Sequence, residues 1–363
     1  MHAQSLAAAL SDHHQVDIFC LNTENLPEIS QEGSVTVHHL PCFPAAGGRL
    51  PLPKASALQK FQKYIEDNPA DAVIMETRLY PFNLWASGLL HKKKIPFLII
   101  DHGTGHIDFG NHLINHLWEF YEHCTARQYQ ANCRNFYGVS EASIKWLSHF
   151  GIQGKGVISN GVLEKDFSNL NPAERKWQHQ HGIPDSAVRI TYSGRLLPAK
   201  GIVILLQALD KIGWDQIHLV IAGDGDMNLI NQWISNPHIH FLGRVHHDEM
   251  AQIFSETQIF CLPTDYPEGM PTVILEAGYC GNAVISTNKG GIPEVIHDGE
   301  TGLITRIRDI DDLKEKIQFL ISHPEEQIRL GKNLKQLIEK EYLWSITTKK
   351  VEKIFTEMRS DDL

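Results

Sequence analysis

The sequence has no surplus of basic residues. Its 363 residues include 33 Lys and Arg against 43 Asp and Glu, which gives a formal net charge of −10. Proteins that bind nucleic acid generally present a basic face to the phosphates, so this charge balance argues against a nucleic-acid partner. It leaves room for a local basic pocket that holds one phosphate-bearing ligand.

Disulfide spacings and long apolar runs are missing as well. The six cysteines include no C-x-x-C pair, which predicts free buried thiols rather than a disulfide framework. No apolar run reaches the ~20 residues of a membrane-spanning helix, and the N-terminus lacks the basic region of a signal peptide. We therefore expect a cytoplasmic protein. Peripheral contact with a membrane through His91–Lys94 is an alternative to the commoner role of such runs as solvated helix ends.

Motifs of two other enzyme classes are absent. No G-x-G-x-x-G follows a predicted strand, which argues against a nicotinamide-dependent dehydrogenase. There is no H-E-x-x-H, and paired histidine spacings arise by chance among 21 histidines. The pairs are His102 with His106 and His112 with His116. Glycines break the first pair out of a helix, so no metal site is predicted here.

Asp224 and Asp226 form a D-x-D after an apolar run. This spacing suits Mg²⁺, but a tight turn after a buried strand explains the segment as well. We predict a turn here and no metal.

Short apolar runs alternate with segments of helical period along the whole chain. This alternation predicts parallel sheets covered by helices, and the length suits two domains of about 150–180 residues each. The predicted strands are Val16–Cys20, Ala72–Met75, Phe97–Ile100, Phe136–Val139, Gly156–Ile158, Arg189–Tyr192, His218–Ala222, Ile239–Leu242, Ile259–Leu262, Ala283–Ser286 and Gly302–Ile304. The predicted helices are Gln4–Leu10, Ala55–Asp67, Ile202–Ile212, Ile310–Ser322, Glu325–Lys340 and Tyr342–Met358.

A polar stretch with little periodicity lies between Asn160 and Val188, and it is typical of a domain boundary. We predict an N-terminal domain over residues 1–160, a second domain over 161–342 and a terminal helix over 343–363. A doubly wound domain normally opens with a buried strand, whereas this sequence opens in a helix. The first strand of the first domain is therefore expected to be missing.

The segment Asp265–Gly281 carries the strongest local signal. Pro271 suits the first turn of a helix, and the preceding Gly269 and Met270 offer no side-chain oxygen as a cap. The first amides of such a helix remain available to an anion or to sugar hydroxyls. Glu268 and Glu276 can each accept hydrogen bonds from a pair of hydroxyls, as ribose and carbohydrate present them. Alternatively, they are a loop acid and an ordinary buried helix residue.

Two cations follow the predicted strand that ends at Tyr192. Arg195 and Lys200 come after the turn at Gly194, where parallel α/β sheets bind ligands. A guanidinium and an ammonium group together suit a diphosphate, although a solvated basic loop is the commoner case. His102 follows the predicted strand Phe97–Ile100 in the same way, so we expect it to point into a cleft that faces the second domain.

Taken in order, these segments resemble the landmarks of retaining glycosyltransferases of family 4, whose most specific mark is an E-x7-E motif, here Glu268 to Glu276. The resemblance is high over Ser159–Trp344 and thinner before it. The segments that carry it are Ser159–Val162, Tyr192–Ala208, Ile221–Gly225, Phe241–Val245, Cys261–Gly281, Gly290–Leu303 and Leu343–Ser345.

The resemblance implies a GT-B fold, in which two Rossmann-like domains face each other across a cleft and the last helix crosses back to the first domain. It implies that Arg195 and Lys200 hold a donor diphosphate, that Glu268 holds the donor sugar and that Glu276 binds the ribose. His102 would lie over the sugar near the reacting carbon. The further donor-binding residues that it implies are Gly194, Gly269, Met270 and Thr272.

The reaction implied is transfer from a UDP- or GDP-linked sugar to a glycan or lipid-linked acceptor, with retention and without metal or cofactor, in cell-surface polysaccharide synthesis. The missing first strand is a departure from the family, and a late start site or a truncated gene accounts for it. The alternatives are a truncated, non-catalytic nucleotide-sugar binder, an epimerase on the same fold, or a histidine-rich metallohydrolase with tightly bound zinc.

Overall fold

The computed structural model describes residues 2–45, 50–107, 109–168, 170 and 176–360. The chain divides into two compact units: unit 1 comprises residues 1–159 and 344–363, and unit 2 comprises residues 160–343. Among the described residues, no helix combines the length and the apolar character needed to cross a bilayer.

Unit 2 is built on a six-stranded parallel sheet with the strand order β10-β9-β8-β11-β12-β13. Its strands are β8 (Val188–Ser193), β9 (Ile217–Ala222), β10 (Ile239–Gly243), β11 (Ile259–Leu262), β12 (Ala283–Ser286) and β13 (Leu303–Ile304). Its helices are α6 (Lys176–Gln180), α7 (Ile202–Ile212), α8 (His247–Glu256), α9 (Thr272–Tyr279), α10 (Ile310–Ser322) and α11 (Pro324–Glu341).

The central strands of this sheet are continuous apolar runs, and every residue of β9, β11 and β12 is buried. Such runs are expected where helices cover both faces of a parallel sheet. Helix α7 buries one apolar stripe that includes Leu205, Leu206 and Leu209. Because the carboxyl ends of parallel strands share one edge, the loops after β8 and β11, which are neighbours in the sheet, start side by side.

Unit 1 contains two sheets instead of one. The first has the order β1-β3-β2, with β4 paired to the last two residues of β3, and the second has the order β5-β6-β7. The strands are β1 (Asp17–Asn22), β2 (Ile29–Glu32), β3 (Val35–Phe43), β4 (Leu52–Pro53), β5 (Val73–Glu76), β6 (Phe97–Asp101) and β7 (Phe136–Gly138). The helices are α1 (His2–Leu10), α2 (Ala55–Asp67), α3 (Pro81–Lys93), α4 (His112–Asn132), α5 (Glu141–His149) and α12 (Trp344–Ser360).

Helix α12 packs within unit 1 although it comes last in the sequence. Its first residue, Trp344, makes an edge contact with the ring of His2 at a centroid distance of 5.1 Å. Further along, Glu352 Oε1 lies 2.9 Å from His14 Nε2. These contacts join the two ends of the described chain through α1.

The observed elements correct the sequence prediction in two places. The predicted strand Gly156–Ile158 is wrong, because only an isolated bridge between Gly138 and Val157 forms there. Strands β2, β3 and β4 were not predicted at all. In contrast, the helices α2, α7 and α10 begin and end at the predicted residues.

Candidate functional site

The first part of the site is the turn after β8. Gly223 in the neighbouring turn has φ +143°, and a Cβ there would lie 1.9 Å from the Gly194 carbonyl oxygen, so the two turns touch through backbone. Tyr192 Oη donates a hydrogen bond to the Arg195 carbonyl oxygen at 3.1 Å, and burial raises the pKa of this phenol, which keeps it a donor. The backbone that carries Arg195 is therefore fixed from both sides.

The second part is an ion pair between Lys200 and Glu268. Lys200 Nζ lies 2.5 Å from Glu268 Oε1, and the two side chains are only 14% and 10% exposed. Thr264 Oγ1 lies 3.2 Å from the same carboxylate oxygen. A charge-assisted contact that is mostly shielded from water is stronger than an exposed one, so this pair fixes the positions of both side chains.

Backbone contacts position both members of this pair. Gly201, next to Lys200, has φ +79°, and a Cβ there would lie 2.1 Å from the Pro263 carbonyl oxygen. Gly290 has φ +54°, and its Cβ would lie 1.6 Å from the Glu268 carbonyl oxygen. A larger residue fits at neither position, which explains why glycine occupies both.

Tyr266 lies under both cations. Lys200 Nζ is 4.8 Å and the Arg195 guanidinium carbon 5.6 Å from the centroid of its ring, within the range of cation–π attraction. Lys200 is paired with Glu268, whereas the exposed Arg195 forms no ion pair with any described carboxylate. Arg195 is therefore the group that gives this loop a positive charge toward solvent.

Helix α9 begins next to this pair. Its N-cap is Pro271 rather than the predicted first-turn position, and no side chain caps the first amides. The Met270 carbonyl accepts a hydrogen bond of 2.6 Å from Asn160 Nδ2, which holds the chain just before the helix. The uncapped amides of Thr272 and the following residue carry the positive end of the helix dipole.

Glu276 lies one turn into α9 and is buried, with 7% exposure. Burial raises the pKa of its carboxyl, and the charge of nearby Asp166 acts in the same direction, while His247 opposes both. His247 Nε2 lies 3.0 Å from Asp166 Oδ2, so the two side chains contact each other near Glu276. Among the described residues, none donates a hydrogen bond to the Glu276 carboxyl.

In unit 1, His102 follows β6 and bonds to the last residue of the neighbouring strand β5. His102 Nε2 lies 2.5 Å from Glu76 Oε2, and His2 Nδ1 lies 3.0 Å from Glu76 Oε1. Burial disfavours ionisation of Glu76, but the hydrogen bonds and charges of the two histidines outweigh it and lower its pKa to about 2. A charged carboxylate therefore orients both imidazole rings.

Among the described residues, His2, Glu76 and His102 are the one group of three ligating side chains whose ligand atoms lie within 4.8 Å of one another. The spacing His102/His106 does not form a pair, because His106 bonds to Glu122 instead. His112 and His116 lie in the first turns of α4 and are exposed.

The D-x-D segment shows the turn that the sequence favoured. Asp226 accepts a hydrogen bond from the Asn228 amide at 3.0 Å and starts a short 3-10 turn. Asp224 is 61% exposed and lies 4.0 Å from Arg244. The basic run that ends α3 is a helix end, in which Lys93 pairs with Glu66 at 2.9 Å.

Sequence reasoning missed four residues of these two sites: His2, Glu76, Thr264 and Tyr266. Tyr266 and Thr264 lie inside the segment that carries the E-x7-E pattern, so their proximity to Glu268 was a usable signal. Glu76 also had a usable signal, because it directly follows the predicted strand Ala72–Met75, just as His102 comes after the predicted strand Phe97–Ile100. No signal in the sequence pointed to His2, because only the tertiary fold brings it next to Glu76.

Two family models match the chain. Residues 1–163 match the model of Glycosyltransferase Family 4, and residues 173–337 match the model of Glycosyl transferases group 1. Sucrose-phosphate synthase from Thermosynechococcus elongatus superimposes with a TM-score of 0.79 at 20% identity, over 99% of this chain and 93% of that one. The chain belongs to the GT-B glycosyltransferases. The fold class predicted from the sequence is thereby confirmed.

Two relatives of this glycosyltransferase differ in how far they match it. An uncharacterized glycosyltransferase of Methanocaldococcus jannaschii is 25% identical over 99% of this chain and 94% of its own length. The GDP-mannose-dependent monoacylated alpha-(1-6)-phosphatidylinositol monomannoside mannosyltransferase of Corynebacterium glutamicum is 27% identical over 52% of each chain.

Proposed function

We propose that this glycosyltransferase moves a sugar from a UDP- or GDP-linked donor to a glycan or lipid-linked acceptor, with retention of the anomeric configuration. The observation that carries the proposal is the cluster of Arg195, Lys200 and Glu268 beside the uncapped start of α9. It combines cations for a diphosphate with a carboxylate and backbone amides for sugar hydroxyls.

The cations and the start of α9 stabilise the negative charge that develops on the leaving group during glycosyl transfer. As the bond between the sugar and the diphosphate breaks, negative charge grows on the leaving nucleotide. Arg195 and Lys200, both within reach of the Tyr266 ring, oppose that charge from fixed positions. Gly194, which has no side chain, allows the phosphates to approach the backbone after β8.

Glu268 and the α9 amides supply the sugar subsite in this proposal. The Glu268 carboxylate accepts bonds from sugar hydroxyls, and the amides of Gly269, Met270 and Thr272 donate to sugar or phosphate oxygens. The contact with Lys200 keeps the Glu268 side chain in place. Glu276, whose buried carboxyl has no donor among the described residues, is assigned to the ribose hydroxyls.

His102 is assigned to the sugar near the reacting carbon. Its Nε2 faces the Glu76 carboxylate, which leaves Nδ1 as the ring nitrogen for a substrate contact. Glu76 acts as a positioning residue for this ring.

Metal independence, the absence of any cofactor beyond the nucleotide sugar and a location in the cytoplasm at the inner membrane face are parts of the same proposal. The cation pair takes over the role that Mg²⁺ would have at a diphosphate. A role in cell-surface polysaccharide synthesis is the broader setting that we propose. A lipid-linked acceptor is consistent with the mannosyltransferase relative, whose name includes a phosphatidylinositol mannoside.

A thermal-shift screen with UDP-, GDP- and ADP-sugars, with and without EDTA, tests the donor site. We expect one nucleotide class to raise the melting temperature, equally in EDTA, and the shift to disappear in Glu276→Ala. The control is Glu256→Ala, an equally buried acid on α8 that accepts bonds from the Trp177 and Gln178 amides and lies outside the proposed site. That variant should lose stability but keep the shift.

Three results would contradict parts of the proposal. A shift abolished by EDTA would overturn metal independence, and no shift with any nucleotide sugar would overturn the donor site. Donor binding with no sugar transferred to any acceptor in the presence of lipid and glycan acceptors would identify a non-catalytic nucleotide-sugar binder instead.

A further inference from the structure

Three ligating side chains of unit 1 converge from three different elements. His2 begins α1, Glu76 ends β5 and His102 follows β6. His2 Nδ1 lies 3.0 Å from Glu76 Oε1, and His102 Nε2 lies 2.5 Å from Glu76 Oε2. The ligand atoms of all three side chains lie within 4.8 Å of one another. We name these three residues the His2/Glu76/His102 cluster.

The spacing of the donor atoms suits one metal ion. Zn²⁺ binds imidazole nitrogen and carboxylate oxygen at about 2.0–2.2 Å, so the donor atoms around a tetrahedral ion lie about 3.3 Å apart. The two contacts of Glu76, at 3.0 and 2.5 Å, are close to that spacing. The two imidazole planes are inclined by 80° with centroids 4.4 Å apart, so the rings do not stack face to face. Small side-chain movements would therefore admit an ion in place of the hydrogen bonds.

The charge of the cluster favours a divalent cation. Among the described residues, the ion pairs of Glu76 are those with the two imidazoles, and no Lys or Arg contacts its carboxylate. Imidazole binds metal in its neutral form, so the donor set carries a single negative charge. The side chains of His2, Glu76 and His102 are 11%, 25% and 31% exposed, so the cluster is largely shielded from water but open to an ion.

The backbone that carries Glu76 is held in a strained conformation. The next residue, Thr77, has φ +63°, which is an outlier for a β-branched residue. Asn83 Nδ2 donates hydrogen bonds to the carbonyl oxygens of Glu76 and Thr77, at 2.8 and 2.9 Å. The Thr77 amide donates to the Ile100 carbonyl oxygen at 2.8 Å. These bonds hold a turn of the kind that is concentrated at functional sites, and they fix the backbone from which the Glu76 carboxylate projects.

The loop that carries His102 is anchored by buried charges. Asp101 Oδ1 accepts a hydrogen bond from the Gly103 amide at 3.0 Å. Asp101 Oδ2 lies 2.7 Å from Arg78 Nε, and these side chains are 3% and 1% exposed. The residues on both sides of His102 are therefore held in place. Ligands whose positions are fixed by a surrounding shell bind metal more tightly than mobile ones, because less ordering accompanies binding.

We propose that the His2/Glu76/His102 cluster binds one Zn²⁺ ion through His2 Nδ1, His102 Nε2 and one carboxylate oxygen of Glu76. Two imidazoles and a carboxylate are a donor set that proteins use for Zn²⁺, and three protein ligands leave the fourth position to water. His102 Nδ1 keeps the substrate contact assigned to it above. The inference goes beyond the proposed function, since the ion has no step in the transfer and its uptake requires neither donor nor acceptor.

Isothermal titration calorimetry with ZnCl₂ tests the site on the whole chain after treatment with EDTA and dialysis. We expect one tightly bound Zn²⁺ per chain. His2→Ala, His102→Ala and Glu76→Gln should each weaken binding at least about 100-fold, because the loss of a ligand exceeds the loss of an outer-shell partner.

His116→Ala is the matched control and should keep the full affinity. His116 also lies beside an acid, Glu119, at 3.5 Å, but it belongs to no group of three ligating side chains among the described residues. Excess Mg²⁺ should not displace Zn²⁺, because Mg²⁺ prefers oxygen ligands. The visible absorption of bound Co²⁺ gives a second measurement of the same site, and circular dichroism confirms that each variant is folded.

Three results would overturn the inference. The first is the absence of tight Zn²⁺ binding by the unmodified chain. The second is an unchanged affinity in the folded His2→Ala and His102→Ala variants, and the third is an equal loss in His116→Ala, since surface histidines would then hold the ion. Displacement by Mg²⁺ would overturn the choice of Zn²⁺. None of these results bears on the donor site, which is tested separately by the thermal shift with nucleotide sugars.

Discussion

The two units use the same elements but differ in how their sheets are closed. In unit 2 six parallel strands form one sheet, and every residue of β9 is buried. In the described part of unit 1, seven strands are divided between two sheets, and no residue of β1 is fully buried. Both strands are rich in apolar residues. The difference therefore shows that the apolar character of a strand does not by itself predict how deeply the strand is buried.

Both units nevertheless place polar groups by the same rule. In unit 2 the cations follow β8 and Glu268 follows β11, which pairs with β8. In unit 1 Glu76 ends β5 and His102 follows β6, which pairs with β5. Loops after neighbouring parallel strands bring residues together that are far apart in the sequence. Four predictions test how far the two units differ in function and stability.

The largest expected effect is on activity in unit 2. We expect Lys200→Met to lower kcat/KM at least about 100-fold, because it removes one fixed cation from the leaving diphosphate. Steady-state release of nucleotide in the presence of acceptor measures it. Lys289→Met is the control, since Lys289 pairs with Asp265 at 2.8 Å at a more exposed position. Similar losses in both variants would contradict a special role for Lys200.

The next effect concerns the backbone under Glu268. Gly290→Ala should destabilise unit 2 by about 3 kcal/mol, since it adds a clash with the Glu268 carbonyl to the strain of a positive φ. Gly243→Ala should cost only about 1 kcal/mol, because φ is +64° there and nothing lies within 4 Å of the added Cβ. Urea unfolding measures the loss of unfolding free energy in both variants. Equal losses would contradict the role that we give to the close approach of Gly290 to the Glu268 carbonyl.

Alanine substitutions in the two sheets compare their packing directly. Ile221→Ala in the buried strand β9 should cost about 3 kcal/mol, as large-to-small changes in tight cores do. Ile18→Ala in β1 should cost about 1 kcal/mol because its side chain is only half-buried. Hydrogen exchange of each unit gives both values. A cost at Ile18 as high as at Ile221 would show that β1 is packed like an inner strand.

The smallest effect is the pH dependence of Glu76. Its pKa is lowered in the folded protein to about 2 from 4.5, so its contribution to stability is present above pH 4.5 and is lost as the pH falls toward 2. We expect Glu76→Gln to cost about 1–3 kcal/mol at pH 7 and progressively less between pH 4.5 and pH 3. Urea unfolding of the wild type and the variant at pH 7 and at pH 3 measures this difference in unfolding free energy. A difference that does not change with pH would contradict an ionised Glu76.

Local patterns predicted the helices better than the strands of unit 1. Helices α2 and α7 bury regular apolar stripes, so their limits were readable from the spacing of Phe61 and Ile65 or Leu205 and Leu209. Strand β3 was missed because His38, His39 and Pro41 interrupt its apolar alternation. The fold explains the polar residue at His38, because its Nε2 contacts the Asp17 carboxylate on β1 at 2.8 Å.

The candidate site also combines features that local sequence patterns predicted with features that depend on the tertiary fold. The helix start at Pro271 and the cations after β8 were visible as local motifs. The pairing of Lys200 with Glu268, 68 positions further along the chain, depends on the order of strands in the sheet. That order is a tertiary property, and no spacing in the sequence encodes it. The E-x7-E roles stay predictions that the donor experiments address, and the retaining outcome stays a prediction.

The placement of α12 has a consequence for the order in which the molecule is made. Unit 1 is discontinuous: it needs both residues 1–159 and residues 344–363, whereas unit 2 is one uninterrupted stretch. A ribosome therefore delivers all of unit 2 before the last helix of unit 1 exists. Until then the side chains that contact α12, including His2 and His14, lack these partners. Although domains usually mature from the N-terminus onward, in this protein the first unit to begin is the last to finish.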